Sequence, residues 1–92
     1  MIKNFSHKGL KKLYETGITI GVHSAHIKRL RLILARLESI QKPADMNLPG
    51  LDFHGLKGTR KDQFSVCVNK NWRVVFKWNG VDTYDVDYID YH

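Results

Sequence analysis

Gln63-Phe64-Ser65-Val66-Cys67-Val68-Asn69-Lys70-Asn71-Trp72-Arg73-Val74-Val75-Phe76-Lys77-Trp78-Asn79-Gly80 is where the period of the chain changes. Before it, apolar residues recur every three or four positions. Within it they alternate every second position, broken by Asn and Gly. The pattern predicts a strand over 63–68, a turn over 69–71, a strand over 72–78 and a reversal at Asn79-Gly80.

Upstream, residues 53–57 read as a short strand, 58–62 as a turn and 43–50 as a loop. Before that loop, Ile27, Leu30, Ile33, Leu34, Leu37 and Ile40 form the stripe of an amphipathic helix, with Ser24 as N-cap. Pro43 stops that helix near Gln41. Lys28, Arg29, Arg31 and Arg36 lie off the stripe as a basic outer surface. Residues 2–5 read as an opening strand, and Ser6 caps a short helix over 7–15 that Gly17 closes. Downstream, Tyr84-Asp85-Val86-Asp87-Tyr88 alternates and predicts a strand over 83–91. Helices first and strands last give an α+β domain: two N-terminal helices packed on a small, mostly antiparallel sheet. Ninety-two residues suffice for one core, so residues 1–92 form a single domain.

The register of the last hairpin decides which side chains share a face. A three-residue loop over 79–81 pairs Phe76 with Tyr84, Val74 with Val86 and Trp72 with Tyr88, placing all six on the buried side. Arg73, Val75, Lys77, Thr83, Asp85, Asp87 and Tyr91 then line the other side, with Arg73 opposite Asp87.

Residues 82–92 hold four aspartates and no Lys or Arg, so of a net charge of +6 residues 1–81 carry +10. Such a body suits a polyanion such as RNA, DNA or an acidic protein partner, with affinity that falls as salt rises. The one cysteine, Cys67, excludes an internal disulfide and a cysteine-clustered zinc site, and reads as a small packed strand residue. No apolar run approaches the roughly 20 residues of a membrane span. The opening residues lack the apolar stretch and cleavage site of a secretion signal, so the sequence predicts a cytoplasmic protein with no membrane contact. The chain ends on an imidazole, His92, which the preceding strand can hold in place.

Met1-Ile2-Lys3, Phe5, His7-Lys8-Gly9-Leu10, His54-x-Leu56-Lys57-Gly58, Asn71-Trp72-Arg73 and the closing Asp90-Tyr91-His92 together resemble the HigB branch of the RelE-like bacterial toxins, across essentially the whole chain. The loop around Asn79-Gly80 and the middle of the long helix match that pattern less well. The resemblance implies a RelE-like ribonuclease fold and a toxin of a toxin–antitoxin pair. It also implies ribosome-dependent cleavage of mRNA in the A site of the 70S ribosome, and neutralisation by a HigA-type helix-turn-helix antitoxin. Operator DNA would be met only through that antitoxin. The functional positions of the family fall on His54, Lys57, Arg73, Tyr91 and His92.

Those residue types suit the implied reaction. Cleavage without a metal needs a base for the ribose 2′-hydroxyl, cations for the charge growing on phosphorus and an acid for the departing 5′-oxygen. His92 is assigned as base and His54 as acid or positioning partner. Lys57 and Arg73 stabilise charge, and Tyr91 stacks on a base or orients the phosphate. No cofactor is called for, and the histidines lack carboxylates at metal-ligand spacing. The same basic surface and Tyr91 also fit a non-catalytic RNA- or ribosome-binding module, or a corepressor partner of a helix-turn-helix protein.

Overall fold

Where the chain enters its first helix, α1 (Lys8–Thr16), the computed structural model, which describes residues 1–90, has His7 as the cap. The His7 Nδ1 accepts the Leu10 N–H at 3.0 Å. Ser6, expected in that role, is engaged elsewhere: its N–H donates to the Val86 carbonyl at 2.8 Å. At the other end Gly17 adopts φ 79°, a left-handed conformation that glycine enters without a Cβ clash, and returns its N–H to the Leu13 carbonyl.

Ser24 opens a single 3-10 turn (Ser24–His26) that runs into α2 (Ile27–Ser39). The helix ends two residues before the expected Gln41. Pro43 forces Lys42 into an extended conformation, and the Asp45 carboxylate accepts the N–H groups of Gln41 at 2.9 Å and Lys42 at 3.3 Å. The predicted stripe is the buried face: Leu30, Ile33, Leu34, Leu37 and Ile40 are in the core, and Ile27 packs against it. Tyr14 on α1 donates to Glu38 on α2, and that hydrogen bond, with burial adding to it, pushes the phenol pKa up to about 12.

The sheet has four antiparallel strands in sequence order: β1 (His54–Gly55), β2 (Gln63–Asn69), β3 (Trp72–Trp78) and β4 (Thr83–Asp90). Val66, Val68, Val74, Phe76, Val86 and Tyr88 join the helix residues in the core, so the α+β arrangement is as expected. Among the described residues no helix is long and apolar enough to cross a membrane.

The last hairpin differs from the expected register. Trp78 pairs with Thr83 and Lys77 with Tyr84, closing a four-residue loop in which the Asn79 side chain accepts the N–H groups of Val81 at 2.9 Å and Asp82 at 2.7 Å. Beyond it Asp85 takes φ 51° and bulges, after which Val75 pairs with Asp87 and Val74 with Tyr88. The ladder is thus slid by one residue near the turn and by two beyond the bulge. A one-residue slide exchanges faces, so Thr83 turns inward and Tyr84 outward; a two-residue slide preserves them, so Val86 and Tyr88 stay in the core.

The opening segment makes two parallel bridges to β4, Ile2 with Thr83 and Phe5 with Val86, in place of a continuous strand. The bulge breaks the ladder between them, and the Asn4 side chain fills the gap by accepting the Asp85 N–H at 2.6 Å. Residues 53–57 likewise shorten to the two residues of β1, because Asp52 (φ 47°) and Gly58 (φ 69°) turn the chain away on either side.

Gly9 lies against the backbone of Gly21, in the connection between the helices. A Cβ at Gly9 would fall 2.7 Å from the Gly21 Cα, inside any allowed contact with unyielding backbone. Alanine at an ordinary helix position gains about 0.5–1 kcal/mol over glycine. Here the clash outweighs that gain, and Gly9→Ala is expected to lower stability by about 1–3 kcal/mol. A urea titration monitored by circular dichroism would show the midpoint falling; a rise would mean the connection yields freely.

Candidate active site

A buried arginine must have its charge matched. Alternation along β3 sends Trp72, Val74 and Phe76 toward the helices and Arg73 to the opposite side of the sheet, where it is only 7% exposed. The Arg73 Nε–H donates to the Ser65 Oγ, Nη1 to the Asp52 Oδ2 at 3.2 Å, and Nη2 to the Asp52 carbonyl at 2.6 Å. Of the five donors of a guanidinium, these two residues take three. Ser65 reaches it because Cys67 pairs with Arg73 across β2 and β3, leaving Ser65 as the diagonal neighbour on the same face.

Asp52 is placed by its left-handed backbone. The Cys67 N–H donates to the Leu51 carbonyl at 2.6 Å, the chain kinks at Asp52, and pairing resumes at His54 with Ser65. The kink turns both the carbonyl and the carboxylate of Asp52 onto Arg73. The Asp52 side chain is 73% exposed, so the ion pair itself contributes little; the carbonyl and the buried serine fix the guanidinium.

His54 completes the group. Its Nδ1 lies 3.1 Å from the same Asp52 carbonyl and 3.5 Å from the Arg73 Nη2. The nearer neighbour is an acceptor and arginine is always a donor, so we assign the proton to Nδ1, which leaves Nε2 as the basic nitrogen of the exposed ring. Lys57 is exposed two residues beyond β1, where the 3-10 turn Gly58–Arg60 begins.

Of the five residues expected from sequence, His54 and Arg73 are therefore brought into contact, and Lys57 lies on the segment leading out of β1. Tyr91 and His92 lie outside the described residues. The preceding Asp90 pairs with Trp72, so β4 runs to the end of the sheet where Arg73 sits. Arg73 is not opposite Asp87. The slide beyond the bulge sets it against Ile89, while the Asp87 carboxylate accepts the N–H of Tyr88 at 2.9 Å.

Sequence reasoning missed Asp52 and Ser65. Ser65 carried a signal, being a polar residue in an apolar alternation on the same side as Arg73. Asp52 carried only its place soon after Gly50. Among the described residues, no cluster of three or more His, Cys, Asp or Glu could hold a metal ion.

Residues 3–92 match the family described as the RelE-like toxin of the type II toxin–antitoxin system HigB. The sequence is 38% identical to the endoribonuclease HigB of Proteus vulgaris over 92 residues, 100% of both chains. It is 30% identical to toxin HigB-1 of Vibrio cholerae serotype O1 over 84 residues, which cover 85% of this chain and 84% of that one.

The two holders of Arg73 are separable. Ser65→Ala leaves the buried Nε–H without its acceptor and is expected to cost about 1–3 kcal/mol. Asp52→Asn keeps the carbonyl and tolerates positive φ, so stability is expected to move by less than about 1 kcal/mol. Urea midpoints of the two variants would test this, and a larger loss for Asp52→Asn would make the ion pair the principal restraint.

Proposed function

The chain belongs to the HigB-like toxins, the RelE-like toxins of type II toxin–antitoxin systems, and from that premise we propose that it is an endoribonuclease that cuts mRNA in the ribosomal A site. The observation that carries the reading is the exposed imidazole of His54 held 3.5 Å from the buried, fixed guanidinium of Arg73. A cation fixed in advance next to a proton-transfer group is what cleavage of a phosphodiester needs, since no reorganisation is required as charge develops.

In the proposed reaction the ribose 2′-oxygen attacks the adjacent phosphorus, forming a P–O2′ bond, and the P–O5′ bond breaks. The proton leaving the 2′-hydroxyl passes to His92 as base, and the 5′-oxygen receives a proton from Nε2 of His54 acting as the imidazolium, whose Nδ1–H stays on the Asp52 carbonyl. Arg73 and Lys57 stabilise the additional negative charge on the nonbridging oxygens, and Tyr91 stacks on a neighbouring base. All parts come from side chains, without a metal. The +10 charge of residues 1–81 supports long-range attraction to ribosomal RNA and message.

A toxin of a type II system has an antitoxin partner. The partner proposed here is a HigA-type helix-turn-helix protein, with operator DNA contacted only through it. The site of action is the cytoplasm, where the ribosomes are. Production of the intact chain alone is expected to arrest bacterial growth and deplete mRNA, and co-production of the antitoxin to restore growth. The ribosome supplies substrate orientation, a contribution that reaches about 7–11 kcal/mol in well-aligned systems. Cleavage of naked RNA should therefore be much slower than cleavage on programmed ribosomes, and equal rates would refute ribosome dependence.

Removal of His92 deletes a proton acceptor, and single-turnover cleavage should slow by roughly 10²–10⁴-fold with little change in the melting temperature. Arg73→Ala should cost about 2.7–4 kcal/mol of transition-state stabilisation, by analogy with oxyanion donors. Parent-rate cleavage without His92 would make it a spectator and transfer the base role to His54 or Tyr91.

A further inference from the structure

On the helix side of the sheet, at the end where β3 begins and β4 finishes, a cleft of about 310 Å³ is lined by His7, residues 20–23, Trp72 and Tyr88. We propose that this cleft is a nucleobase-binding subsite that holds one base of the mRNA flanking the scissile phosphate. The inference rests on the ribonuclease reading above and adds to it a place where sequence preference arises.

The cleft is built from rings that are already held in place. Trp72 and Tyr88 pack with centroids 4.7 Å apart, His23 stands edge-on to Trp72 at 4.8 Å, and His7 edge-on to Tyr88 at 5.2 Å. Behind them the buried Nδ1 of His26 lies 2.6 Å from the Tyr88 hydroxyl and fixes that ring. Burial, with His23 alongside, lowers the His26 pKa, and burial raises that of Tyr88, so this supporting pair is neutral at physiological pH.

The close approach of Gly9 to Gly21 sets the floor of the connection that forms one wall, and Ile20 stands 93% exposed at its lip. Planar aromatic walls of this kind hold single-stranded RNA bases by stacking. The volume lies at the small end of ligand pockets and suits one nucleoside better than a folded peptide element.

Two features tie the cleft to a base near the cut. The His7 Nδ1 is committed to the Leu10 N–H, so the neutral ring carries its proton on Nε2, a donor of fixed direction for a ring nitrogen or carbonyl of a base. Trp72 and Arg73 are successive residues, about 3.8 Å apart at Cα, on opposite sides of the sheet at its end. A strand of RNA crossing that end meets the stacking ring on one side and the guanidinium on the other. Among the described residues that line the cleft, none is a carboxylate that would oppose it.

The test uses two variants that spare the fold. His7→Asn keeps a capping acceptor for the Leu10 N–H, and His23→Ala alters an exposed side chain. Purified protein is titrated with all-2′-deoxy trinucleotides, which carry no attacking hydroxyl, and binding is read from the indole N–H resonance of Trp72. In parallel, single-turnover cleavage is measured on ribosomes programmed with messages varying each base around the cut. We expect the Trp72 resonance of the parent to shift on binding and each variant to bind about 10-fold more weakly, at the lower end of what a stacked base contributes. The parent's preference at one flanking position should flatten by a similar factor.

Binding by the parent without cleavage on ribosomes would defeat the ribonuclease reading while leaving the subsite standing. Unchanged affinity and unchanged base preference in both variants would overturn the subsite. So would variants that bind nucleotides like the parent and lose only antitoxin neutralisation, since the cleft would then be a protein-docking surface.

Discussion

A guanidinium withdrawn from water has to be answered by oxygen atoms at fixed places, and in this chain that demand on Arg73 shapes everything around it. The left-handed turn at Asp52, the shortness of β1 and the burial of a serine in the middle of β2 all supply those oxygens. Removing the buried Ser65 hydroxyl leaves the Nε–H uncompensated, which costs more than the bond contributed when present. The same constraint delivers His54. Its ring shares the Asp52 carbonyl with Arg73, so the cation and the proton-transfer group are positioned by one atom.

The helix and strand assignments were legible because each depends on local periodicity. Leu30, Ile33, Leu34 and Leu37 could hardly be placed otherwise than on one helix face, and Val74 and Phe76 belonged inside a sheet. Register was not local. The three-residue loop satisfied the hydrophobic pattern of six residues, whereas the molecule uses a wider turn held by the Asn79 side chain and recovers the pattern with a bulge at Asp85. A slip of one residue at the turn that the bulge raises to two keeps Val86 and Tyr88 on their expected faces and leaves no trace in an alternating sequence. Only the neighbours of the turn, Thr83 and Tyr84, reveal it by exchanging sides.

The candidate site divides the same way. His54 and Arg73 stood out by residue type and by resemblance, and the fold brings them together. The partner assigned to Arg73, Asp87, followed from the mistaken register. Asp52 was invisible because its role lies in a backbone conformation that aspartate tolerates and sequence does not advertise. Ser65 could have been found, since alternation already placed it with Arg73; what it lacked was the pairing of β2 with β3 that makes the two neighbours.

The segment 1–6 does more than start the chain. By donating and accepting along residues 83–86 it covers the first half of the outer edge of β4, while the strand at the opposite edge is only two residues long and bordered by the kink at Asp52. Shortening the open margins of a sheet in this way lowers its tendency to self-template, a route by which small β-rich proteins polymerise. It also confines any partner strand that would extend the sheet on the β4 side to the second half of β4, so the first half can be recognised only through side chains.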